Sequence, residues 1–301
     1  MSDDKPTIGF IGLGAMGAAM VEQLQQHGYR LTVLANRART AVDAAVQRGA
    51  AEADTARTVA ENSDIVMFCV DTSASVESRM NGDDGVIAGL TPGKVVIDFG
   101  TSLPESTRRL GAQVAAKGAA LLDAPLGRTP AMAREGRLNI MGAGDKEAFE
   151  RVRPVLEVLG ENVFYFGALG TGHTIKLINN FVTQSVANVV AEAFAMAEAA
   201  GLDGRQVYDA MSAGPGHSGI MDFIKAYALD GDNSAMEFSI QNARKDILYY
   251  AALCDGLRMP SLMSAGAKQA FLLAERAGMG QRHVSEMVDF YRGVAGGGRD
   301  V

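Results

Sequence analysis

The chain has 301 residues, 48% hydrophobic and 21% charged, with a formal net charge of -7. That length accommodates two ordinary domains or one large one, and the composition is that of a packed globular protein, which excludes a disordered chain. An acidic chain is a poor partner for nucleic acid, so any phosphate or carboxylate site must be a local array of cations and backbone amides acting against the overall field. The two cysteines, Cys69 and Cys254, stand far apart. They suggest neither a disulfide framework nor a cysteine metal site, and they suit a reducing compartment, the cytoplasm. His27, His173, His217 and His283 show no ligand spacing, so no metal is expected.

The apolar start over 8–21 follows Asp3 and Asp4, where a secretory segment would be basic, and reads as a strand entering a helix. From there to about residue 166, short β-branched runs at 7–11, 30–34, 65–70, 95–99 and 120–123 alternate with helical patterns. Such alternation implies crossover units and a parallel sheet buried on both faces. Beyond Gly172 the pattern is helical, over 182–200, 204–211, 236–254 and 263–278. The stretch 177–200 is apolar but carries Asn179, Asn180, Gln184, Asn188 and Glu192, which makes it a buried helix of a soluble protein and not a membrane span. The expected division is 1–166 for the sheet domain and 167–301 for the helical one, at the cluster Gly167, Gly170 and Gly172. The fold class is therefore α/β, a Rossmann-type doubly wound parallel sheet followed by an all-helical C-terminal domain.

The first strand runs into Gly12-Leu13-Gly14-Ala15-Met16-Gly17 and then a helical pattern, the context a dinucleotide fingerprint requires. Gly12 serves the tight turn, Gly14 the approach of the backbone to a pyrophosphate, and Gly17 the packing of helix on strand. The alternative is a glycine-rich turn with no ligand. An NAD site places an acid about 20 residues on, at the end of the second strand. Here that end reads Leu34-Ala35-Asn36-Arg37. Asn36, Arg37 and Thr40 can donate to a 2′-phosphate, so NADP(H) is favoured over NAD(H). Solvated loop cations at Arg37 and Arg39 are the competing reading.

Lys176 and Asn180 lie four residues apart on one helix face. A lysine beside an apolar face is suited to proton transfer when burial lowers its pKa, and is otherwise a snorkelling side chain. His173, near that lysine, and His217, in Gly214-Pro215-Gly216-His217-Ser218, are open to a structural or a substrate-contacting role.

Five segments in register resemble the β-hydroxyacid dehydrogenase family typified by 3-hydroxyisobutyrate dehydrogenase. They are the glycine fingerprint; Asp98-Phe99-Gly100-Thr101-Ser102-Leu103-Pro104; Asp123-Ala124-Pro125-Leu126-Gly127 through Gly136; the run from Gly167 to Asn180; and Lys245-Asp246. The resemblance implies that Lys176 is the catalytic proton donor or acceptor and that Asn180 orients substrate and lysine. It implies that Thr101 sits near nicotinamide and substrate, that Val70 and Asp71 line the ribose side, and that Lys245 closes the cleft. Without it, Thr101 reads as a cap for a helix beginning near Pro104, and Lys245-Asp246 as a solvated pair. A homodimer or homotetramer is also implied.

Where most relatives resemble Ser-Gly-Gly, this chain has Gly127, Arg128 and Thr129. The arginine fork and the hydroxyl enrich the anion pocket in donors. With Leu177-Ile178-Asn179-Asn180, this is similar to the subset that includes 3-sulfolactaldehyde reductase. Ala35-Asn36-Arg37, Pro130 and Met132 depart from that subset. The expected activity is hydride transfer between NAD(P) and a small β-hydroxyacid or its semialdehyde, carboxylate or sulfonate. The rivals are a non-catalytic NADP-binding sensor and an imine reductase relative, both disfavoured by Lys176.

Overall fold

The computed structural model describes residues 5–34 and 39–296. The chain divides into two compact units, 1–176 and 177–301.

Among the described residues the first unit is built on nine strands: β1 (Ile8–Ile11), β2 (Leu31–Leu34), β3 (Ala51–Ala53), β4 (Ile65–Phe68), β5 (Val95–Asp98), β6 (Ala120–Asp123), β7 (Leu126–Gly127), β8 (Leu138–Gly144) and β9 (Gly160–Tyr165). Every residue of β1, β2, β4 and β5 is buried, which is why these runs are apolar without alternation. The order is β3-β2-β1-β4-β5-β6-β8-β7. The first six strands are parallel, with Ile8 opposite both Leu31 and Ile65, and Val95 opposite both Ile65 and Ala120. Strand order reverses between β1 and β4, where an open sheet forms its ligand crevice beyond the carboxyl ends.

Among the described residues the helices wholly within this unit are α1 (Ala15–Gln26), α2 (Arg39–Gln47), α3 (Ala56–Glu61), α4 (Ser73–Met80), α5 (Val86–Gly89), α6 (Pro104–Ala115), α7 (Pro130–Arg134) and α8 (Lys146–Leu159). Neighbouring strand residues feed opposite cores. Phe10, Val33, Ile97 and Leu122 pack with Met20, Leu24, Phe149 and Leu156 on one face. Ile11, Leu34, Val96 and Leu121 pack with Val59, Met80, Leu110 and Val114 on the other.

The sheet differs from expectation at both edges. β3, Ala-Glu-Ala, is too short and polar to be read as a strand, yet it pairs with β2. After β6, Ala124-Pro125 turns the chain, and β8 runs antiparallel to β6 and β7, with β9 parallel to β8.

The helix α9 (Thr171–Ala199) begins before the apolar run read from 182 and carries Lys176 and Asn180 on its early turns. The division between the compact units falls after Lys176, inside α9. The second unit adds α10 (Gly204–Ser212), α11 (Gly219–Asp230), α12 (Ile240–Gly256), α13 (Ser264–Ala274) and α14 (Met287–Gly296). Phe194, Ile224, Ile240, Ile247, Phe271 and Met287 form its core. Neither α11 nor α14 was read from sequence. The hydroxyl of Ser218 caps α11, accepting from Met221 N, and Gly231 at φ 71° ends it. Among the described residues no helix is long and apolar enough to cross a membrane.

Candidate active site

The chain leaves β1 at Gly12, whose φ of 102° is the left-handed region. A Cβ there would lie 2.3 Å from Cys69 O, and one on Gly17 only 2.0 Å from Gly12 O. Side chains at either position would force helix from strand. Gly14 differs: nothing lies within 4 Å of a Cβ placed on it. It is the exposed N-cap of α1 and offers no side-chain cap. The first-turn amides of α1 therefore face open space, which suits a phosphate. Leu13 and Met16 pack against the core, which leaves only their backbone for a ligand. Val70 is half-buried and Asp71 exposed. Burial, then the charges of Asp98 and Asp71, push the Cys69 thiol up to about 12, so it stays protonated.

Asn36 and Arg37, expected at a 2′-phosphate, lie outside the described residues. Thr40 is exposed on the first turn of α2. Its neighbour Arg39 is committed elsewhere, donating to Glu52 at 2.6 Å and to Asp43 at 2.8 Å.

Two acids close apolar strands at the carboxyl edge of the sheet. Asp98 ends β5 and is 2% exposed. It accepts from Gly100 N and Ser102 Oγ, both at 2.8 Å, which shapes the loop carrying half-buried Thr101. Thr101 is not the cap of α6: Leu103 occupies that position, and its amide donates to Ser73 Oγ at 2.7 Å.

Asp123 ends β6 and is fully buried. Its carboxylate accepts from Gly170 N at 2.7 Å and His173 N at 2.8 Å, capping α9 from another element. Burial pushes this carboxyl above its ordinary range, while His173 and the two amides work the other way. Gly172 fits so tightly that a Cβ would stand 2.2 Å from Met141 O. Half-buried Lys176 rises one turn beyond this anchored start.

Around 127–129 the side chains have partners of their own. Arg128 sits at φ 80°, a conformation that favours glycine. Its guanidinium does not stand open toward an anion: it donates to Arg137 O at 2.6 Å and pairs with Glu161. That pairing holds the Glu161 carboxyl below its usual range. Thr129 Oγ1 accepts from Met132 N at 3.4 Å, capping α7, and Gly127 pairs with Asn139 in the β7–β8 ladder.

In the helical unit, buried Asn180 donates to Asp246 Oδ2 at 2.6 Å, and Asn179 donates to Asn180 Oδ1 at 3.3 Å. Asp246 is 1% exposed, with Lys245 Nζ 3.3 Å from its other oxygen and 5.7 Å over the Tyr249 ring. Lys245-Asp246 is thus no solvated pair; the aspartate fixes Asn180.

Sequence reasoning quoted Asp98, Asp123 and Asp246 within motifs but gave them no task. The signal was present for two of them, an acid at the end of an otherwise apolar buried strand. His217 is exposed and bonded to Asp222 at 2.9 Å. His173 is completely buried. Among the described residues no cluster of potential metal ligands occurs.

Residues 7–167 match the NAD binding domain of 6-phosphogluconate dehydrogenase, and residues 170–291 match the NAD-binding domain of NADP-dependent 3-hydroxyisobutyrate dehydrogenase. An NAD-dependent L-serine dehydrogenase of Pseudomonas aeruginosa is 38% identical over 204 residues, 68% of this chain and 68% of that protein. A 3-sulfolactaldehyde reductase of Escherichia coli is 32% identical over 295 residues, 96% of this chain and 97% of that one. Among solved structures, a 3-hydroxyisobutyrate dehydrogenase from Salmonella typhimurium superposes with a TM-score of 0.83 at 26% identity, covering 95% of this chain and 100% of that chain.

Proposed function

The chain belongs to the β-hydroxyacid dehydrogenase family, and from that membership we propose the roles of its residues in an NAD(P)-dependent oxidation of a small β-hydroxyacid or reduction of its semialdehyde. The observation that carries the reading lies in the first unit. The glycine cradle after β1, the Thr101 loop after β5 and the start of the Lys176 helix, anchored on Asp123 at the end of β6, all stand at the carboxyl ends of the sheet's parallel strands.

The cradle fits a dinucleotide. The amides of Gly12, Leu13, Gly14, Ala15, Met16 and Gly17 would hold its pyrophosphate, and Val70, Asp71 and Thr101 would line its path. Lys245 is proposed as a further contact to cofactor and substrate. When bound, the nicotinamide supplies or accepts the hydride. Lys176 gives a proton to the carbonyl oxygen in reduction and takes it back in oxidation. Asn180, fixed by Asp246, orients the substrate oxygen. Thr101 donates to the substrate, and the backbone at Gly127, Arg128 and Thr129 binds its acid group. NADP(H) over NAD(H) is part of this proposal, supported by the absence of an acid at 35–37 and by the donors Asn36, Arg37 and exposed Thr40.

A carboxylate is the acid group favoured, because the Arg128 fork is spent on Glu161 and Arg137. A sulfonate reader would have to draw it from both. A homodimer or homotetramer is proposed as well, supported by exposed Ile178, Val182, Val189 and Met196 along α9. The free cysteines support a reducing, cytoplasmic setting.

The test is oxidation of NADPH and NADH by purified protein with succinic, tartronate and methylmalonate semialdehydes, glyoxylate and sulfolactaldehyde. NADPH-linked turnover of a carboxylate supports the reading. Preference for sulfolactaldehyde moves the acid group to sulfonate, and tight NADPH binding with no turnover favours a non-catalytic sensor.

A further inference from the structure

His173 is the one buried imidazole between the two strand-ending acids, and no role above uses its ring. Nδ1 lies 2.8 Å from Thr107 Oγ1 on α6. Nε2 makes no hydrogen bond and stands 3.7 Å from Asp98 Oδ2, while Nδ1 stands 3.9 Å from Asp123 Oδ2. All four residues are at most 3% exposed. Thr107 has one hydroxyl proton and two acceptors in reach, Nδ1 at 2.8 Å and Leu103 O at 3.2 Å. The placement that sets no lone pair against the Asp98 carboxylate has Thr107 donating to Nδ1 and the ring proton on Nε2, aimed at Asp98.

The cluster thereby joins two separate devices. Asp98 shapes the loop from Gly100 to Ser102, on which Thr101 sits. Asp123 caps the helix on which Lys176 sits. The imidazole ring belongs to the second device and faces the first. A buried polar cluster of this kind, away from water, couples its members strongly through their charges and dipoles.

We propose that His173 is a positioning residue for Lys176, its ring locking the Thr101 loop to the first turn of α9 and so setting where the lysine delivers its proton. The inference rests on the roles proposed above for Lys176 and Thr101. Misplacement of a reacting group by an ångström lowers turnover by up to about a hundredfold without a matching loss of binding.

Two variants separate the ring's edges. His173→Asn keeps an amide where Nδ1 lies and empties the Nε2 side; His173→Gln places its amide near Nε2. The expected result is that His173→Asn lowers kcat roughly tenfold or more while KM and the NADPH dissociation constant change little, and that His173→Gln restores most of kcat. Equal losses in both variants, tracking their melting temperatures, would overturn the proposal, as would unchanged kcat in His173→Asn. Amide hydrogen exchange on the resting protein reads the coupling without turnover. In His173→Asn exchange should quicken at both 100–103 and 170–176; quickening at 170–176 alone overturns the link to the loop. Absence of turnover by the unmutated protein would remove the proposed reaction while the exchange result still decides the coupling.

Discussion

Alanine at Gly14 separates cofactor binding from folding. The backbone there has φ -69° and ψ -172°, open to any residue, and no atom lies within 4 Å of the added Cβ. The fold is therefore untouched, and the gain of about 0.4–1 kcal/mol from a less flexible unfolded chain is offset by the poorer helix N-cap that alanine makes, so stability changes little. The same methyl group stands in the open space before the first turn of α1, where a pyrophosphate would approach. Losing one or two charge-assisted amide bonds costs about 2–3 kcal/mol, roughly a 30- to 150-fold weaker dissociation constant. Gly17→Ala is the counterpart. Its Cβ would meet Gly12 O at 2.0 Å and Phe10 Cε1 at 3.0 Å, so strand and helix must part. Overpacking of that kind costs about 1–3 kcal/mol, several degrees of melting temperature in a protein of this size. NADPH fluorescence titration and thermal denaturation read both variants. Undiminished NADPH affinity in Gly14→Ala would refute the placement of the phosphate at α1, whatever Gly17→Ala does.

Lys176→Ala should abolish turnover and leave NADPH affinity nearly intact; normal turnover in a stopped assay would remove the lysine from the chemistry. Arg37→Asp should weaken NADPH roughly tenfold or more and spare NADH, the worth of a charged hydrogen bond to a 2′-phosphate, and equal affinities by titration would sink that assignment. Arg128→Gly relieves a left-handed residue and loses a partly exposed ion pair, so KM for a semialdehyde carboxylate should move by no more than about threefold. A much larger rise confined to anionic substrates would show that the fork leaves Glu161 for the substrate. Asp64 is held below its ordinary pKa chiefly by the Thr7 amide, with burial opposing and the Thr7 hydroxyl assisting. A depressed carboxyl contributes stability above its unfolded value near 4 and loses it as pH falls through the folded value. Asp64→Asn should therefore flatten the decline of melting temperature between about pH 5 and pH 3, and an unchanged slope would count against the bond.

What was legible in the sequence were features that local chemistry dictates. Short, largely apolar runs rich in β-branched residues and bounded by turn signals point to strands covered on both faces, and β1, β2, β4 and β5 are that. A glycine run between such a strand and a helical pattern has few structural uses other than a dinucleotide turn. Lys176 and Asn180 share a face because a helix repeats every 3.6 residues. The remainder depended on contacts that no local pattern encodes. The start of α9 is set by Asp123, which lies 47 residues before Gly170 in sequence. The antiparallel β8 is decided by how the chain leaves Pro125, since its Gly- and Ala-rich sequence has little strand preference of its own. Arg128 illustrates the limit most directly. Composition says only that a cation stands where small residues are usual, and its direction is settled by Glu161, 33 residues on, together with a backbone at φ 80°. Charge and periodicity are properties of a sequence; which partner a charge meets is a property of the packed chain, because that partner is chosen by geometry once the sheet has formed.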